Sequence, residues 1–102
     1  MKTAPTLPEK VRQRLVEVAG TTSQDLGLGR IVGQILVYLY LTERESSLDE
    51  IGDNLGLSKA AISIAIRQLE SLGLVRRTWK KGDRRNYYRS ADNIGSALQN
   101  GL

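Results

Sequence analysis

The residues of this sequence that could do chemistry lie in residues 58–90, in a predicted helix and the basic segment that follows it. Apolar residues recur at helical spacing on one side of residues 58–72, at Ile62, Ala65, Ile66, Leu69 and Leu72. The other side is small, hydroxylated or basic, and is formed by Lys59, Ala60, Ser63, Ile64, Arg67 and Ser71. Such a surface suits close approach to another molecule, and a DNA groove is one candidate. An ordinary amphipathic helix is the alternative.

The second candidate surface is residues 75–90, where positive charge is concentrated. Seven cations stand there against the single carboxylate of Asp83, which gives the segment a charge of +6 in a chain of net charge +4. The cations are Arg76, Arg77, Lys80, Lys81, Arg84, Arg85 and Arg89. A concentration of this kind is typical of a phosphate-binding surface. Cations also protect strand edges from aggregation, but that role requires fewer of them.

The residue types that are absent argue against an enzyme. The chain has no cysteine and no histidine, so it lacks the commonest metal ligands and the usual general base. Carboxylates, lysine, tyrosine or serine would have to do any acid–base or nucleophilic chemistry alone. A glycine-rich phosphate loop is also missing. We therefore expect a binding protein that is not an enzyme and uses no cofactor and no metal.

The elements that must position the candidate residues are two short helices within residues 47–72. Ser47 and Glu50 have the spacing of a capping box at the start of the first helix. Gly56 stands where that helix must end, and Ser58 can cap the next one. Gly73 ends the second helix in the same way. Two helices joined by Gly-Leu-Ser have the pattern of a helix-turn-helix.

A basic hairpin is predicted for residues 74–90. Residues 75–80 and 86–90 are rich in β-formers, and Gly82 and Asp83 lie between them as a turn. Trp79, Tyr87 and Tyr88 are expected to serve the hairpin and the core. A helix-turn-helix followed by such a hairpin is a winged helix, so the predicted fold class is mainly α with a small β-hairpin.

The N-terminal part should contain a loose tail at residues 1–5 and a helix at 6–19. Thr6 can cap this helix, and Gly20 should end it. Its narrow apolar stripe comprises Val11, Leu15, Val18 and Ala19. The stripe could pack on its own domain or on a second copy of the chain, and the sequence does not separate these possibilities.

A polar connection at residues 21–28 should lead to a buried helix at 29–41, which is apolar on nearly every face. Gly29 and Gly33 would let another helix approach closely. Tyr38 and Tyr40 are interpreted as core or dimer-interface residues rather than as the lining of a ligand pocket. Residues 41–46 should form a solvent-facing link, and residues 91–100 a short C-terminal helix.

Length and composition indicate one domain of 102 residues with a modest core. No apolar run is long enough for a membrane span. The N-terminus carries no apolar signal region, so we expect a cytoplasmic protein with no membrane partner.

The order of these elements resembles the MarR-like winged-helix transcription regulators, and most closely their betaine-synthesis-repressor (GbsR) branch. The motifs that carry the resemblance are Arg30-Ile31-Val32-Gly33, Ser47-Leu48-Asp49-Glu50-Ile51, Leu57-Ser58-Lys59, Arg67-Gln68-Leu69-Glu70, Gly73-Leu74-Val75-Arg76 and Lys81-Gly82-Asp83-Arg84-Arg85 with Tyr87-Tyr88. The resemblance implies a DNA-binding regulator of transcription, either a repressor or an activator, and repression is the role we expect. It also implies a homodimer built through N-terminal and C-terminal helices. It leaves a small-molecule effector unspecified.

The resemblance also implies roles for particular residues. The major groove of double-stranded DNA would be contacted by Ser58, Lys59, Ala60, Ser63, Ile64 and Arg67. The wing would contact the backbone or minor groove through Arg76, Arg77, Lys80, Lys81, Arg84 and Arg85, with Asp83 orienting a wing arginine. The main alternative is a winged helix that binds a partner protein through Ile64 and the face of small and hydroxylated residues around it.

Overall fold

The structure is a computed structural model that describes residues 7–42 and 44–91. Within those residues, four helices and a three-stranded antiparallel sheet form a winged helix, which confirms the predicted fold class. The elements in chain order are α1 (Glu9–Asp25), α2 (Arg30–Thr42), β1 (Ser46–Ser47), α3 (Leu48–Leu55), α4 (Lys59–Ser71), β2 (Val75–Trp79) and β3 (Asn86–Ser90). None of the helices in the described part is long and apolar enough to cross a membrane.

The core lies between α2, the two helices of the helix-turn-helix, and the sheet. Its buried members are Val32, Ile35, Leu39, Ile51, Ile62, Ala65, Ile66, Leu69, Val75 and Tyr88. The apolar side predicted for α4 is therefore buried, with one correction: Leu72 is 43% exposed. Leu72 is the C-cap of α4, and the helix ends before that side chain can reach the core.

Local signals predicted the helix-turn-helix correctly. Ser47 and Glu50 form the capping box, with each side chain bonded to the other's backbone N–H. Gly56 ends α3 with a left-handed φ of 69°, and the hydroxyl of Ser58 accepts from the backbone N–H of Ala61 at the start of α4. Gly73 follows α4 with a φ of 76°. These caps define where α3 ends and where α4 begins and ends.

The first helix is longer than predicted, because Gly20 does not end it. The helix continues to Asp25, so residues 21–25 of the predicted connection are helical. Gly20 is buried against α2, and an added Cβ would lie 2.9 Å from the Gln34 side chain. The glycine thus serves a helix contact and not a helix end. At the other end the N-cap is Pro8, and Thr6 lies outside the described residues.

Gly33 is the point of closest approach between α1 and α2. A Cβ added there would lie 2.2 Å from the Ala19 carbonyl oxygen and 2.6 Å from the Cβ of Ser23. The prediction of a close helix contact is confirmed for Gly33 and is wrong for Gly29. Gly29 precedes α2 with a φ of 93°, and nothing lies within 4 Å of an added Cβ.

Most of the predicted apolar stripe of α1 is open to solvent. Val11, Leu15 and Val18 are each at least 40% exposed, whereas Ala19 is half-buried beside Gly33 of α2. Of the two possibilities left by the sequence, packing on its own domain therefore holds for Ala19 and not for the three larger side chains within the described residues. Tyr40 on α2 is also exposed, whereas Tyr38 is half-buried.

The link before the helix-turn-helix is not solvent-facing at its end. Ser46 and Ser47 are buried and form β1, which pairs with Tyr88 and Tyr87 of β3. The reason lies far away in the sequence. β2 pairs with one edge of β3, and the other edge of β3 would be unpaired without β1.

The aromatic residues of the hairpin divide between core and surface. Tyr87 and Tyr88 are buried as predicted. Trp79 lies in the hairpin as predicted, as the last residue of β2, but it is 72% exposed and does not belong to the core. Ala91 is buried after β3, and the rest of the predicted C-terminal helix at residues 91–100 lies outside the described residues.

Candidate nucleic-acid interface

The outer face of α4 is open to solvent because the opposite face fills the core. Ser58, Lys59, Ala60, Ile64 and Arg67 are exposed, and Ser63 is half-buried. Ile64 is 66% exposed, which is unusual for a large apolar side chain in the middle of a helix. All six residues predicted for the recognition helix therefore border one accessible surface.

The first turn of α4 lies beside the wing. The Lys59 ammonium is 3.0 Å from the Asp49 carboxylate at the start of α3. A cleft of about 210 Å³ separates them from the wing, and it is lined by Ser47, Leu48, Asp49, Lys59, Arg84, Arg85 and Asn86. The structure thus brings three cations from two separate elements to one cleft. Asp49, which sequence reasoning did not assign to the site, is the carboxylate among them.

A tight turn forms the wing tip. The Asp83 N–H donates to the Lys80 carbonyl at 3.0 Å, and Gly82 at the third position of the turn has a φ of 80°. A positive φ at this position favours glycine, which explains the Gly-Asp pair of the sequence. Lys80, Lys81, Arg84 and Arg85 are all exposed around the turn.

Asp83 holds Arg85 in place. One oxygen of Asp83, Oδ1, accepts from the Arg85 backbone N–H at 2.9 Å and from Nε at 3.2 Å. The other, Oδ2, accepts from Arg85 Nη2 at 3.0 Å and from the Tyr87 hydroxyl at 2.6 Å. These hydrogen bonds, from Arg85 first and then Tyr87, hold the pKa of the Asp83 carboxyl well below its usual range. Donation to Asp83 raises the pKa of Arg85 and of Tyr87.

The cations of β2 divide between its two faces, because neighbouring side chains on a strand point in opposite directions. Arg77 lies on the face of the buried Val75 and donates through Nε and Nη2 to Glu70 of α4, at 3.1 Å each. Its guanidinium also lies 5.8 Å from the centre of the Tyr88 ring. The bonds to Glu70 raise the pKa of Arg77. Arg77 therefore links the hairpin to α4. Arg76 and Arg77 are both exposed, and of the two only Arg77 is bonded to Glu70.

Three contacts in this region were missed by sequence reasoning. Glu70 binds Arg77, Asp49 binds Lys59, and Tyr87 binds Asp83, the partner of Arg85. None of the three was assigned to the site. A charge count detects the excess of cations but not which carboxylate each of them reaches. Only Asp83 carried a usable signal, as the single acid of the basic segment.

Away from α4 and the wing, a cavity of about 230 Å³ lies between α1, α2 and α3. Tyr38 borders it, and the Tyr38 hydroxyl accepts from the Asn54 side chain at 2.9 Å. Tyr38 also packs against the core, as predicted, although one side of it borders this cavity. Among the residues that the structure describes, no group of acidic side chains is arranged to hold a metal ion.

The fold and the surface around α4 define a winged helix-turn-helix protein. Within that class the chain belongs to the MarR family, whose model matches residues 26–86, more than half of the sequence. The matched segment runs from the residue after α1 to the first residue of β3, and so includes the helix-turn-helix, β2 and the turn of the wing. The resemblance inferred from the motifs is confirmed.

Two curated relatives are similar over most of this chain. The HTH-type transcriptional repressor OpcR of Bacillus subtilis is 25% identical over 87 residues, which are 85% of this chain and 47% of the relative. The HTH-type transcriptional repressor GbsR of the same organism is 28% identical over 80 residues, or 78% of this chain and 44% of the relative. The chain spans about half the length of these relatives.

Solved structures share the fold. A crystal structure of a transcriptional regulator matches with a TM-score of 0.81 and 29% identity, over 87% of this chain and 61% of that one. MepR from S. aureus, in a mutant form bound to an oligodeoxyribonucleotide, matches with a TM-score of 0.65 over 88% of this chain and 67% of that one. At 20% identity the second likeness shows the fold alone.

Proposed function

We propose that this chain is a sequence-specific double-stranded-DNA-binding repressor of transcription, with α4 in the major groove and the wing on the backbone or in the minor groove. The observation that carries the proposal is the convergence of Lys59, Arg84 and Arg85 on one cleft beside the exposed face of α4. A major groove admits a helix, and the neighbouring backbone then meets the cations at the edge of that helix. The same proposal puts the chain in the cytoplasm, together with the DNA that it regulates.

Affinity comes mainly from the cations. Arg76, Lys80, Lys81, Arg84 and Arg85 are exposed on the wing and release counterions when they neutralise phosphates. Lys59 adds to this set only after its pairing with Asp49 is loosened. Arg77 contributes less than its sequence position suggests, because its guanidinium is bonded to Glu70.

Sequence reading falls to a few groups on α4. Arg67 can donate to guanine, Ser63 can bond to several bases, and Ile64 can pack on a thymine methyl group. Strong donors are few on this face, so we expect a preference for A·T-rich or deformable sites. The wing arginines would exploit the narrow minor groove of such sites.

A homodimer fits the exposed stripe of α1. Val11, Leu15 and Val18 follow each other at helical spacing and are open to solvent. A second copy of the chain would cover them, and two copies would present two recognition helices to a symmetric DNA site.

A protein-binding winged helix is the second candidate function. It is favoured by two large apolar side chains that are open to solvent, Ile64 at 66% and Trp79 at 72% exposure. The charge of the wing argues against it unless the partner is acidic.

The test is affinity for random-sequence duplex DNA across a salt series, with the native chain and the double variant Arg84→Ala/Arg85→Ala. The logarithm of the affinity should fall steeply with the logarithm of the salt concentration, and the slope should become shallower by about two in the variant. The matched control is Lys10→Ala/Arg14→Ala, which removes the same charge from exposed positions on α1 and should leave the slope close to native.

Equal slopes for the native chain and the wing variant would show that Arg84 and Arg85 of the wing do not contact DNA phosphates. Negligible binding of the native chain at low salt would overturn the proposal as a whole. The protein-binding candidate would then be tested by substituting Ile64.

A further inference from the structure

The hydroxyl of Tyr87 is a polar group that the proposed contacts with DNA do not use. It donates to Oδ2 of Asp83 at 2.6 Å, the shortest of the hydrogen bonds described in the wing. The acceptor is the same carboxylate that binds Arg85 through its backbone N–H, Nε and Nη2. Tyr87 therefore touches the carboxylate on which the position of Arg85 depends.

Tyr87 differs from Asp83 and Arg85 in its position in the fold and in its exposure to solvent. It lies in β3, the central strand, opposite Thr78 of β2 on one side and Ser47 of β1 on the other. Its side chain is only 5% exposed, whereas Asp83 and Arg85 lie in the loop at the wing tip. The ring also lies close to two cations, with Lys80 Nζ 4.3 Å and Arg85 Cζ 5.4 Å from its centre. A residue of the central strand is thus bonded to a group in the loop.

Arg85 keeps hydrogen-bond donors for DNA while its guanidinium is bonded to Asp83. A guanidinium has five N–H donors, and Asp83 engages it through Nε and Nη2 only. The two hydrogens of Nη1 and the second hydrogen of Nη2 are left to donate to a phosphate or to the minor groove. Because a free arginine loses rotamer entropy when it binds, an arginine that is already oriented binds more tightly.

We propose that Tyr87 is the positioning residue of the wing. Its hydroxyl holds Asp83, and through Asp83 it holds the guanidinium of Arg85 in the orientation that contacts DNA. This inference rests on the proposed function, because it assigns to Arg85 a contact with DNA. It adds that the contact depends on the hydroxyl of a tyrosine in the sheet, which acts through Asp83 and not through a bond to DNA.

The first test is a double-mutant cycle of Tyr87→Phe and Arg85→Ala, measured as affinity for random-sequence duplex DNA at one low salt concentration. Tyr87→Phe removes only the hydroxyl and should weaken binding about three- to tenfold. In the Arg85→Ala background the same substitution should change the affinity less than about twofold, because Tyr87 acts through Arg85. Tyr40→Phe, which removes an exposed hydroxyl from α2, is the matched control and should bind like the native chain.

The second test needs no DNA. In the ¹⁵N-labelled native chain, the Nε–H signal that disappears in Arg85→Ala should show the relaxation of an ordered group. In Tyr87→Phe the same signal should show fast side-chain motion, while the backbone amides of β2 and β3 keep their native order. This separates positioning of Arg85 from a general loss of the hairpin.

Several results would overturn the inference. Native affinity in Tyr87→Phe, an equal loss with and without Arg85, or an ordered Arg85 Nε–H in the variant would each remove the role of the hydroxyl. Loss of the native circular-dichroism spectrum in Tyr87→Phe would assign the hydroxyl to the stability of the domain instead. If the native chain fails to bind DNA, the proposed function fails, and the relaxation data alone then decide whether Tyr87 orders Arg85.

Discussion

The arginines on this surface have different roles because some of them are bonded to a carboxylate and others project into solvent. Arg77 is bonded to Glu70 and joins the wing to α4, whereas Arg85 is bonded to Asp83 at the wing tip. Arg67 projects from the exposed face of α4. The residue type predicted a cationic surface, but the neighbours that decide each role come from other elements and could not be read from spacing.

Arg67 should affect the choice of sequence and not only the affinity. We expect Arg67→Ala to weaken binding to a duplex selected by the native chain by about 1–3 kcal/mol. The affinities of this variant for single-base variants of that duplex should differ from one another less than those of the native chain do. Arg84→Ala should weaken binding to all these duplexes by a similar factor. Competition binding against the set of single-base variants measures both effects.

Unchanged relative affinities in Arg67→Ala would show that Arg67 does not read a base. A change of preference in Arg84→Ala would mean that the wing reads the sequence directly or through the shape of the minor groove.

At the scale of elements, local signals were sufficient wherever the chain itself supplies the partner. The capping box of Ser47 and Glu50 and the left-handed Gly56 depend on neighbours in sequence, and they placed α3 and α4 correctly. The end of α1 and the existence of β1 depend on distant residues. Gly20 could be read as a helix end because its contact, Gln34, is fourteen positions away, and Ser46 finds its partner Tyr88 only in the fold.

The contact of α1 with α2 should be sensitive to one methyl group at Gly33. We expect Gly33→Ala to lower the free energy of unfolding by about 1–3 kcal/mol, because the added Cβ meets the backbone of Ala19 and the helices must separate. Gly20→Ala is the matched control within the same helix pair. The Cβ of Gly20→Ala meets the flexible side chains of Gln34 and Arg30, and alanine favours a helix more than glycine does. This substitution should therefore lower the free energy of unfolding less than Gly33→Ala does.

Urea unfolding followed by circular dichroism measures both variants. A Gly33→Ala variant as stable as the native chain would show that the two helices can separate at little cost. A loss of the same size in Gly20→Ala would show that any added volume between the helices is harmful.

At the scale of the whole molecule, the sheet connects the wing to the helix-turn-helix. Tyr87 of β3 pairs with Ser47, and Ser47 is also the cap of α3, so the wing and the start of the helix-turn-helix share a strand pair. The sequence predicted both parts of the candidate interface, through the helical face of residues 58–72 and the charge of residues 75–90. It did not predict the cleft between them, because that cleft depends on the orientation of the hairpin against α3 and α4.

Binding of DNA by α4 and the wing is tested most directly by chemical-shift mapping of the ¹⁵N-labelled native chain with a short A·T-rich duplex at low salt. We predict that the backbone amides of residues 58–67 and 80–86 shift together as DNA is added, with small changes at α1 positions such as Val11 and Val18. Shifts concentrated on α1, or none at stoichiometric DNA, would contradict the assignment of α4 and the wing to DNA binding.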